Sequence, residues 1–279
     1  MGKLNPPLAF LVFDSEHIEE ALPLHCQPPG HVGPAPHHAC GREHTLPADF
    51  RSNHLLAALT RGDRPSWTEQ LEQVELPARF ELHQQGMVAT HIHFPTSALV
   101  AMNHRSDGGD TPAALVGNDG MVGVAAFMGT GTETHRAVVL HPGLAWRLPT
   151  NAVPSDAQAA ASVVKAVVGY LLSLTFQISQ TALCQQHHSV EQRLTRWLLN
   201  ALDRLPGHEV AIDHGTLADA LNVPADALAG AVTQLVGAGA LVCEPQRLVV
   251  PSRAALVARS CGCHAPDQGA VNKSRLPPV

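Results

Sequence analysis

The segment from Asp156 to Cys184 constrains this chain more than any other. It contains no proline and a single glycine, Gly169, which predicts one helix roughly 43 Å long at about 1.5 Å per residue. Val163, Val167, Tyr170 and Leu174 form one apolar row at heptad-like spacing, and Val164, Val168, Leu171 and Ile178 form a neighbouring row. A helix apolar on two sides must be covered on two sides. A domain of the same chain meets one side, and the same helix of a second copy meets the other most simply. The spacing therefore predicts a homodimer, with Val163, Val167, Tyr170 and Leu174 along the dimer helix. The competing arrangement is a helix buried entirely by its own chain.

Where this helix ends, a second and amphipathic one begins. Val190, Leu194, Trp197, Leu198 and Ala201 recur at helical spacing, with Arg193, Arg196 and Arg204 on the other side. Ser189 followed three residues later by Gln192 reads as a capping box at its start. Thr216 to Leu221 is then a short helix, and Asn222-Val223-Pro224 a turn, since asparagine tolerates a left-handed backbone. Pro224 suits the opening of the next helix, Ala225 to Val236. Leu241 to Val250 reads as a hairpin.

Ahead of the long helix the pattern is one of short strands: Phe80 to His83, His91 to Phe94, Ala98 to Met102, Ala113 to Val116, Ala137 to Leu140 and Leu144 to Leu148. Turn residues at Gly86, Gly109 and Asn118-Asp-Gly120 separate them. Many short strands at regular spacing predict an antiparallel barrel or jelly roll. Residues 1–50 differ. Prolines and histidines crowd Pro28 to His38, no period is sustained, and too little apolar surface is present to offset chain ordering, which predicts disorder.

The formal charge of −6 gives no global attraction to nucleic acid or to an anionic membrane. Six cysteines (Cys26, Cys40, Cys184, Cys243, Cys261 and Cys263) lack the rhythm of a disulfide framework. No stretch approaches about 20 apolar residues free of polar interruption, and Leu8 to Phe13 is too short for a signal peptide. These features predict a reduced, soluble, cytoplasmic protein with no membrane span.

Four segments, in order, carry a family likeness: Asn53-His-Leu-Leu-Ala-Ala-Leu59, His93-Phe-Pro-Thr-Ser-Ala-Leu-Val100, Val116-Gly-Asn-Asp-Gly-Met-Val-Gly-Val124 and His187-His-Ser-Val-Glu-Gln-Arg-Leu-Thr-Arg-Trp-Leu-Leu199. From about Asn53 to about Arg259 the chain resembles the Crp/Fnr family of bacterial transcriptional regulators. The resemblance implies an α+β fold: a cyclic-nucleotide-binding-like antiparallel β jelly roll over residues 51–155 and a long dimerisation helix over 156–186. A Crp-type winged helix-turn-helix over 187–260 and a flexible tail over 261–279 follow, with residues 1–50 as the N-terminal extension. It also implies a homodimeric DNA-binding regulator in which a small-molecule effector shifts the paired long helices and resets two DNA-reading heads.

Both sites of that family depart from pattern here. Members that bind cyclic AMP resemble Gly-Glu-Leu-Ala followed by Arg-Ser-Ala. This chain has Gly123-Val-Ala-Ala126 and His135-Arg-Ala137, so the effector-pocket candidates are Gly123, Val124, Arg136 and Ala137. Val124 cannot satisfy a buried ribose hydroxyl, and the expected effector is unknown and not cyclic AMP. An ion pair on the roll is the ordinary role for Arg136. In the helix implied to enter the major groove, Ala225, Asp226 and Ala227 stand at the reading positions, and no Lys or Arg occurs between Pro224 and Leu235. Cation–phosphate pairing supplies nearly all non-specific affinity, and the candidates for it are Arg247 at the wing tip with Arg193 and Arg196. Two readings follow: a DNA-binding regulator, and a degenerate paralogue of the same fold acting through dimerisation or protein contacts.

Enzyme and metal readings rest on less. His91-Ile-His93 is an H-x-H on a strand, as in metal-binding cupins, without a nearby carboxylate or a firmly placed third histidine. A polar outer face with Ile92 and Phe94 turned inward explains the same residues. Cys261-Gly-Cys263-His264 and the stretch from Cys26 to His44 lack C-x₂-C or H-x₃₋₅-H spacing, and Cys184 reads as a small buried apolar residue. Neither a nucleophile elbow nor a phosphate-cradling glycine loop is present. The expectation is no catalytic residue, metal or cofactor, with a cupin-like metal-binding protein as the remote alternative.

Overall fold

A computed structural model describes residues 50–61, 65–107 and 109–264 of the chain. The extension up to residue 49 and the tail from residue 265 lie outside the described residues. Helix α1 (His54–Leu59) is set by its N-cap Asn53, which is fully buried. The Asn53 Oδ1 accepts from the Leu56 N–H at 2.9 Å, and its Nδ2 donates to the carbonyls of Pro95 and Gly120, both at 2.8 Å. One side chain thus caps a helix and holds two loops together.

Seven strands follow: β1 (Glu72–Leu76), β2 (Glu81–His83), β3 (His91–Pro95), β4 (Leu99–Ser106), β5 (Gly109–Val116), β6 (Arg136–His141) and β7 (Gly143–Pro149), with a one-turn helix α2 (Val124–Phe127) between β5 and β6. They form two antiparallel sheets, ordered β1-β7-β3 and β2-β6-β4-β5. Every segment with strand character in the sequence lies on one of them; β1, whose Glu72, Gln73 and Glu75 dilute its apolar signal, does not stand out there. Side chains alternate as the pleat requires. Val100, Met102, Val116 and Val139 pack against Leu76 and Ala145 between the sheets, whereas Leu99, Ala101 and Leu115 face the other way.

The expected long helix is two helices. A short α3 (Ser155–Ala159) turns at Ala160, whose ψ of 129° is extended, into α4 (Ala161–His187). Ala157 and Ala160 pack on the roll, so the chain bends to follow its surface. Val163, Val167 and Tyr170 are buried there with Ile92, Phe94, Phe127 and Leu148, and Leu174 packs beside them. This corrects the sequence reading: the row expected along a dimer seam is covered by its own roll. The Tyr170 hydroxyl donates to the Met121 carbonyl at 2.8 Å, and a Cβ on Gly120 would lie 2.4 Å from the tyrosine ring, which explains glycine in that loop. Farther along, the Gln177 side-chain amide pairs with Leu115 on the edge strand β5, accepting from its N–H at 2.7 Å and donating to its C=O at 3.1 Å. The other side of α4 exposes Val164, Val168, Leu171, Leu172, Phe176 and Leu183, with Leu172 at 64%. By length and composition alone α4 could cross a membrane; its buried row and these two side-chain bonds fix it to the roll.

The C-terminal module opens with α5 (Val190–Leu202), where both bonds of the Ser189–Gln192 capping box are made. Strand β8 (Glu209–Ala211), α6 (His214–Leu221), α7 (Ala225–Gly237), β9 (Val242–Glu244), β10 (Arg247–Val249) and α8 (Arg253–Val257) complete it, with sheet order β8-β10-β9. Asn222 between α6 and α7 adopts the left-handed conformation (φ 51°) that its residue type favours. Leu198, Leu217, Leu228, Leu235 and Leu248 form a core that continues into Leu99, Ala101, Leu115 and Leu140 on the roll. A Cβ on Gly117 would sit 2.6 Å from the Arg204 Cβ, so glycine there allows a close approach of roll and module, beside an Arg204–Asp119 ion pair at 2.9 Å. Cys261 is buried, so residues 261–264, which the sequence reading places in the flexible tail, belong to the packed structure.

Asn53→Ala would strip an N-cap and leave two loop carbonyls without their donor. A loss of about 3 kcal/mol is expected, measured as a lower urea midpoint with an unchanged slope.

Candidate nucleic-acid interface and effector pocket

Helix α7 buries Leu228, Ala231, Val232 and Leu235 in the module core and leaves Ala225, Asp226, Gly230, Thr233 and Gln234 exposed. Ala227, the third residue expected to read bases, is half-buried. Asp226, in the first turn, accepts from the adjacent Ala227 N–H at 2.9 Å. The uncovered residues of α7 therefore present an alanine, an aspartate, two neutral polar side chains and, near the end, Val236, with no cation.

Arginines expected to grip phosphate are engaged within the chain. Arg193 donates to the Leu221 carbonyl and, at 3.4 Å, to that of Asn222, closing the C-terminus of α6. Arg196 is 7% exposed and donates to the Thr181 hydroxyl at 2.9 Å. Both positions are corrected from phosphate contacts to internal ones, because α5 turns its arginine face toward α4 and the helix–turn–helix bend. Arg247 sits on the wing, as expected, between Glu244 at 2.8 Å and Glu209 at 3.1 Å. Arg253 pairs with Asp203, and Arg259 with Glu191.

The four effector-pocket candidates do not converge. Ala137 is fully buried between the sheets, while Arg136, its neighbour on β6, points away from it and pairs with Glu81 at 2.5 Å and Asp110 at 2.7 Å. That side of the roll borders a cleft of about 670 Å³ against α6 and the turn, lined by Arg79, Asp110, Arg136, Thr216, Asp219 and Asn222. Arg79 spans it to Asp213 at 3.0 Å. Gly123 and Val124 lie elsewhere, at the start of α2, next to the Ile92 and Phe127 cluster. The carboxylate of Glu133, only 4% exposed, accepts there from the Ala126 N–H at 3.0 Å, and burial raises its pKa above the ordinary carboxylate value. Glu133 thus occupies the donors of α2 with an anion of the chain's own. The sequence offers no signal for it beyond an acid in a Gly-Thr-rich loop.

The H-x-H pair is also corrected. His93 is not on a polar outer face; it is 8% exposed, and burial, then the charges of His91 and Arg147, push its pKa down to about 3. Its ring centroid lies 6.3 Å from that of His91. Among the described residues, neither histidine belongs to a group placed to share a metal ion.

Arg136 leaves a pH signature. Burial would raise the Glu81 carboxyl, but the Arg136 hydrogen bond outweighs it with help from Gln84, and the net shift is downward. Asp110 is lowered chiefly by its hydrogen bond from Arg105, against burial and with the charges of Arg105 and Arg136 assisting. Carboxyls depressed in the fold stabilise it above their unfolded pKa of about 4, and that contribution disappears as pH falls through their folded values. Arg136→Gln is therefore expected to destabilise the protein at pH 7 and to show a shrinking deficit below about pH 4, read from urea unfolding across that range.

No protein-family model matches the chain, and no curated protein matches it in sequence. Solved structures do match. FixK2 from Bradyrhizobium japonicum superimposes with a TM-score of 0.57 at 14% identity, covering 68% of this chain and 98% of that one. A CRP-family transcriptional regulator from Thermus thermophilus gives 0.54 at 15%, over 67% and 96%. The c-di-GMP-responsive global regulator CLP of Xanthomonas campestris gives 0.51 at 15%, over 66% and 95%. Each match runs along nearly the whole of the other protein, and the chain has the fold of the Crp/Fnr-family transcriptional regulators.

Proposed function

We propose that this chain is a dimeric, cytoplasmic transcriptional regulator of Crp/Fnr type, with a jelly-roll domain, a dimer helix and a winged helix-turn-helix that docks on DNA. The observation that carries this reading is an uncovered α7 on a helix–turn–helix module hung from a helix with an uncovered apolar stripe. Val164, Val168, Leu171, Leu172 and Phe176 are exposed at helical spacing, and a second copy of α4 is the partner of matching shape and chemistry. Pairing by a two-fold axis sets two α7 helices side by side, the arrangement that half-site recognition needs. The dimer face is thus the Val164 row rather than the Val163 row.

DNA affinity is set low by the engagement of the arginines. A small-molecule effector other than cyclic AMP fits this chain, since Arg136 and the α2 donors already hold carboxylates of their own. The same engaged arginines favour a second reading, a paralogue that has kept the scaffold and acts through protein contacts. Titration of genomic DNA fragments at low salt separates the two, and no detectable binding by a folded dimer would reject the DNA reading.

Two outcomes are expected. Leu172→Arg with Phe176→Arg converts the dimer to a folded monomer in sedimentation, while Leu172→Ala alone weakens it less. Glu209→Gln with Glu244→Gln frees Arg247, which should tighten DNA binding and steepen the dependence of log affinity on log salt by about one; an unchanged slope would remove the wing from the interface.

A further inference from the structure

The C-terminus of α4 and the segment after α8 bring four metal-binding side chains together. Cys184 lies in the last turn of α4 and His188, four residues on, is its extended C-cap; Cys261 and Cys263 return to them from the far end of the module. The Sγ atoms of Cys184, Cys261 and Cys263 and a ring nitrogen of His188 all lie within 4.8 Å of one another. Cys184 Sγ and Cys261 Sγ are 3.7 Å apart, and Cys263 Sγ and His188 Nδ1 are 3.6 Å apart. A tetrahedral zinc ion, with bonds of about 2.3 Å to sulfur and about 2.05 Å to nitrogen, requires edges of about 3.8 Å and about 3.5 Å between such atoms. Two opposite edges of the cluster already stand at that spacing, and the other four lie within 4.8 Å, so contraction onto an ion asks for shifts of at most about 1 Å.

We propose that Cys184, His188, Cys261 and Cys263 form a mononuclear site for a tetrahedral, thiolate-preferring divalent cation of the zinc class. Three sulfurs and one imidazole select zinc over magnesium or calcium, which take oxygen donors. Four protein ligands close the coordination sphere, so the site is structural rather than catalytic. An enclosure this tight holds one ion and not a multi-iron cluster. On binding, each thiol releases its proton to solvent and the imidazole binds neutral.

Arg196 supports the assignment independently. It is buried, no carboxylate pairs with it among the described residues, and its Nε has no hydrogen-bond partner. It lines the same cleft as Cys184. A divalent ion with three thiolates and a neutral histidine carries one net negative charge, which supplies the counter-ion this guanidinium lacks. The site would clamp the end of the module to the elbow between α4 and α5, where a dimer helix passes into a DNA head, and its existence does not depend on DNA being bound.

The test uses the full-length protein, purified under reducing conditions without chelator. Elemental analysis should find about one zinc per chain. Cobalt(II) loaded in its place should give tetrahedral ligand-field bands and a thiolate charge-transfer band. Cys263→Ser and His188→Gln should each lose the zinc and change the cobalt spectrum while the far-ultraviolet circular dichroism persists. If either variant fails to fold, the wild-type cobalt spectrum still decides. Folded, reduced wild-type protein that takes up neither metal would overturn the proposal, as would an iron-cluster absorption spectrum or metal retained in full by both variants. A Cys184–Cys261 disulfide that, once reduced, leaves a protein unable to bind zinc would assign the cluster to redox chemistry instead.

Discussion

The seat of α4 on the roll is the constraint from which the rest of this structure follows. A sheet edge leaves backbone groups unpaired, and Gln177 meets those of Leu115 with a side-chain amide that both accepts and donates. Tyr170 does the equivalent at the Met121 carbonyl, seven residues earlier and two turns along the same face. These two polar contacts lie in otherwise apolar surroundings, where an unpaired partner would cost about 1–3 kcal/mol, so they fix the rotation of the helix as well as its position. Once Val163, Val167 and Tyr170 are turned inward, Val164, Val168 and Leu172 must face outward, and Cys184 must arrive beside the residues that follow α8. The exposed apolar row, the cysteine–histidine cluster and the placement of α5 are consequences of one helix rotation.

The C-terminal module is held to the roll by apolar continuity more than by charge. Leu99, Ala101, Leu115 and Leu140 of the roll belong to the same buried cluster as Leu198 and Leu217 of the module, and Gly117 admits the Arg204 backbone to close contact. The Arg79–Asp213 pair lies on the surface, where an ion pair contributes roughly 0–1 kcal/mol. Asp213 also caps α6 through the Thr216 N–H at 2.9 Å, so this contact joins the roll to the first residues of the helix–turn–helix.

Much of this architecture is legible in the sequence because it rests on local chemistry. The Ser189–Gln192 box, the left-handed Asn222, Pro224 ahead of α7 and the period-two strands each follow from residues within a few positions of one another. What the sequence leaves open depends on which neighbour a face meets. The two apolar rows of α4 are plain in the pattern, but nothing local says which one the roll takes. Arg193 and Arg196 look like free cations on a helix surface until α6 and α4 are placed against them. The cysteine cluster escapes for the same reason: Cys184 in the last turn of α4 and His188 at its C-cap offer two donors, while Cys261-x-Cys263 offers two more, with Cys261 lying 77 residues beyond Cys184 in sequence.

Strand parity explains why a motif can persist without its site. Neighbouring residues on a strand face opposite sides, so a shift of one position exchanges interior for exterior. On β6, Ala137 occupies the interior between the sheets and Arg136 the face toward the cleft, where two carboxylates hold it. The pairing of β6 with β2 slips between Glu81 and His83, and that of β6 with β4 slips between Leu99 and Val100, so the register around this arginine is set by irregularities that no motif records. With Glu133 filling the donors of α2, an anionic ligand would have to displace two internal ion contacts at separate places rather than enter one prepared pocket. The cleft beside Arg136 is lined by Arg79, Asp110 and Asp219 next to the Asn222 turn, and both of its arginines are already paired with carboxylates of the chain, Arg136 with Asp110 and Arg79 with Asp213.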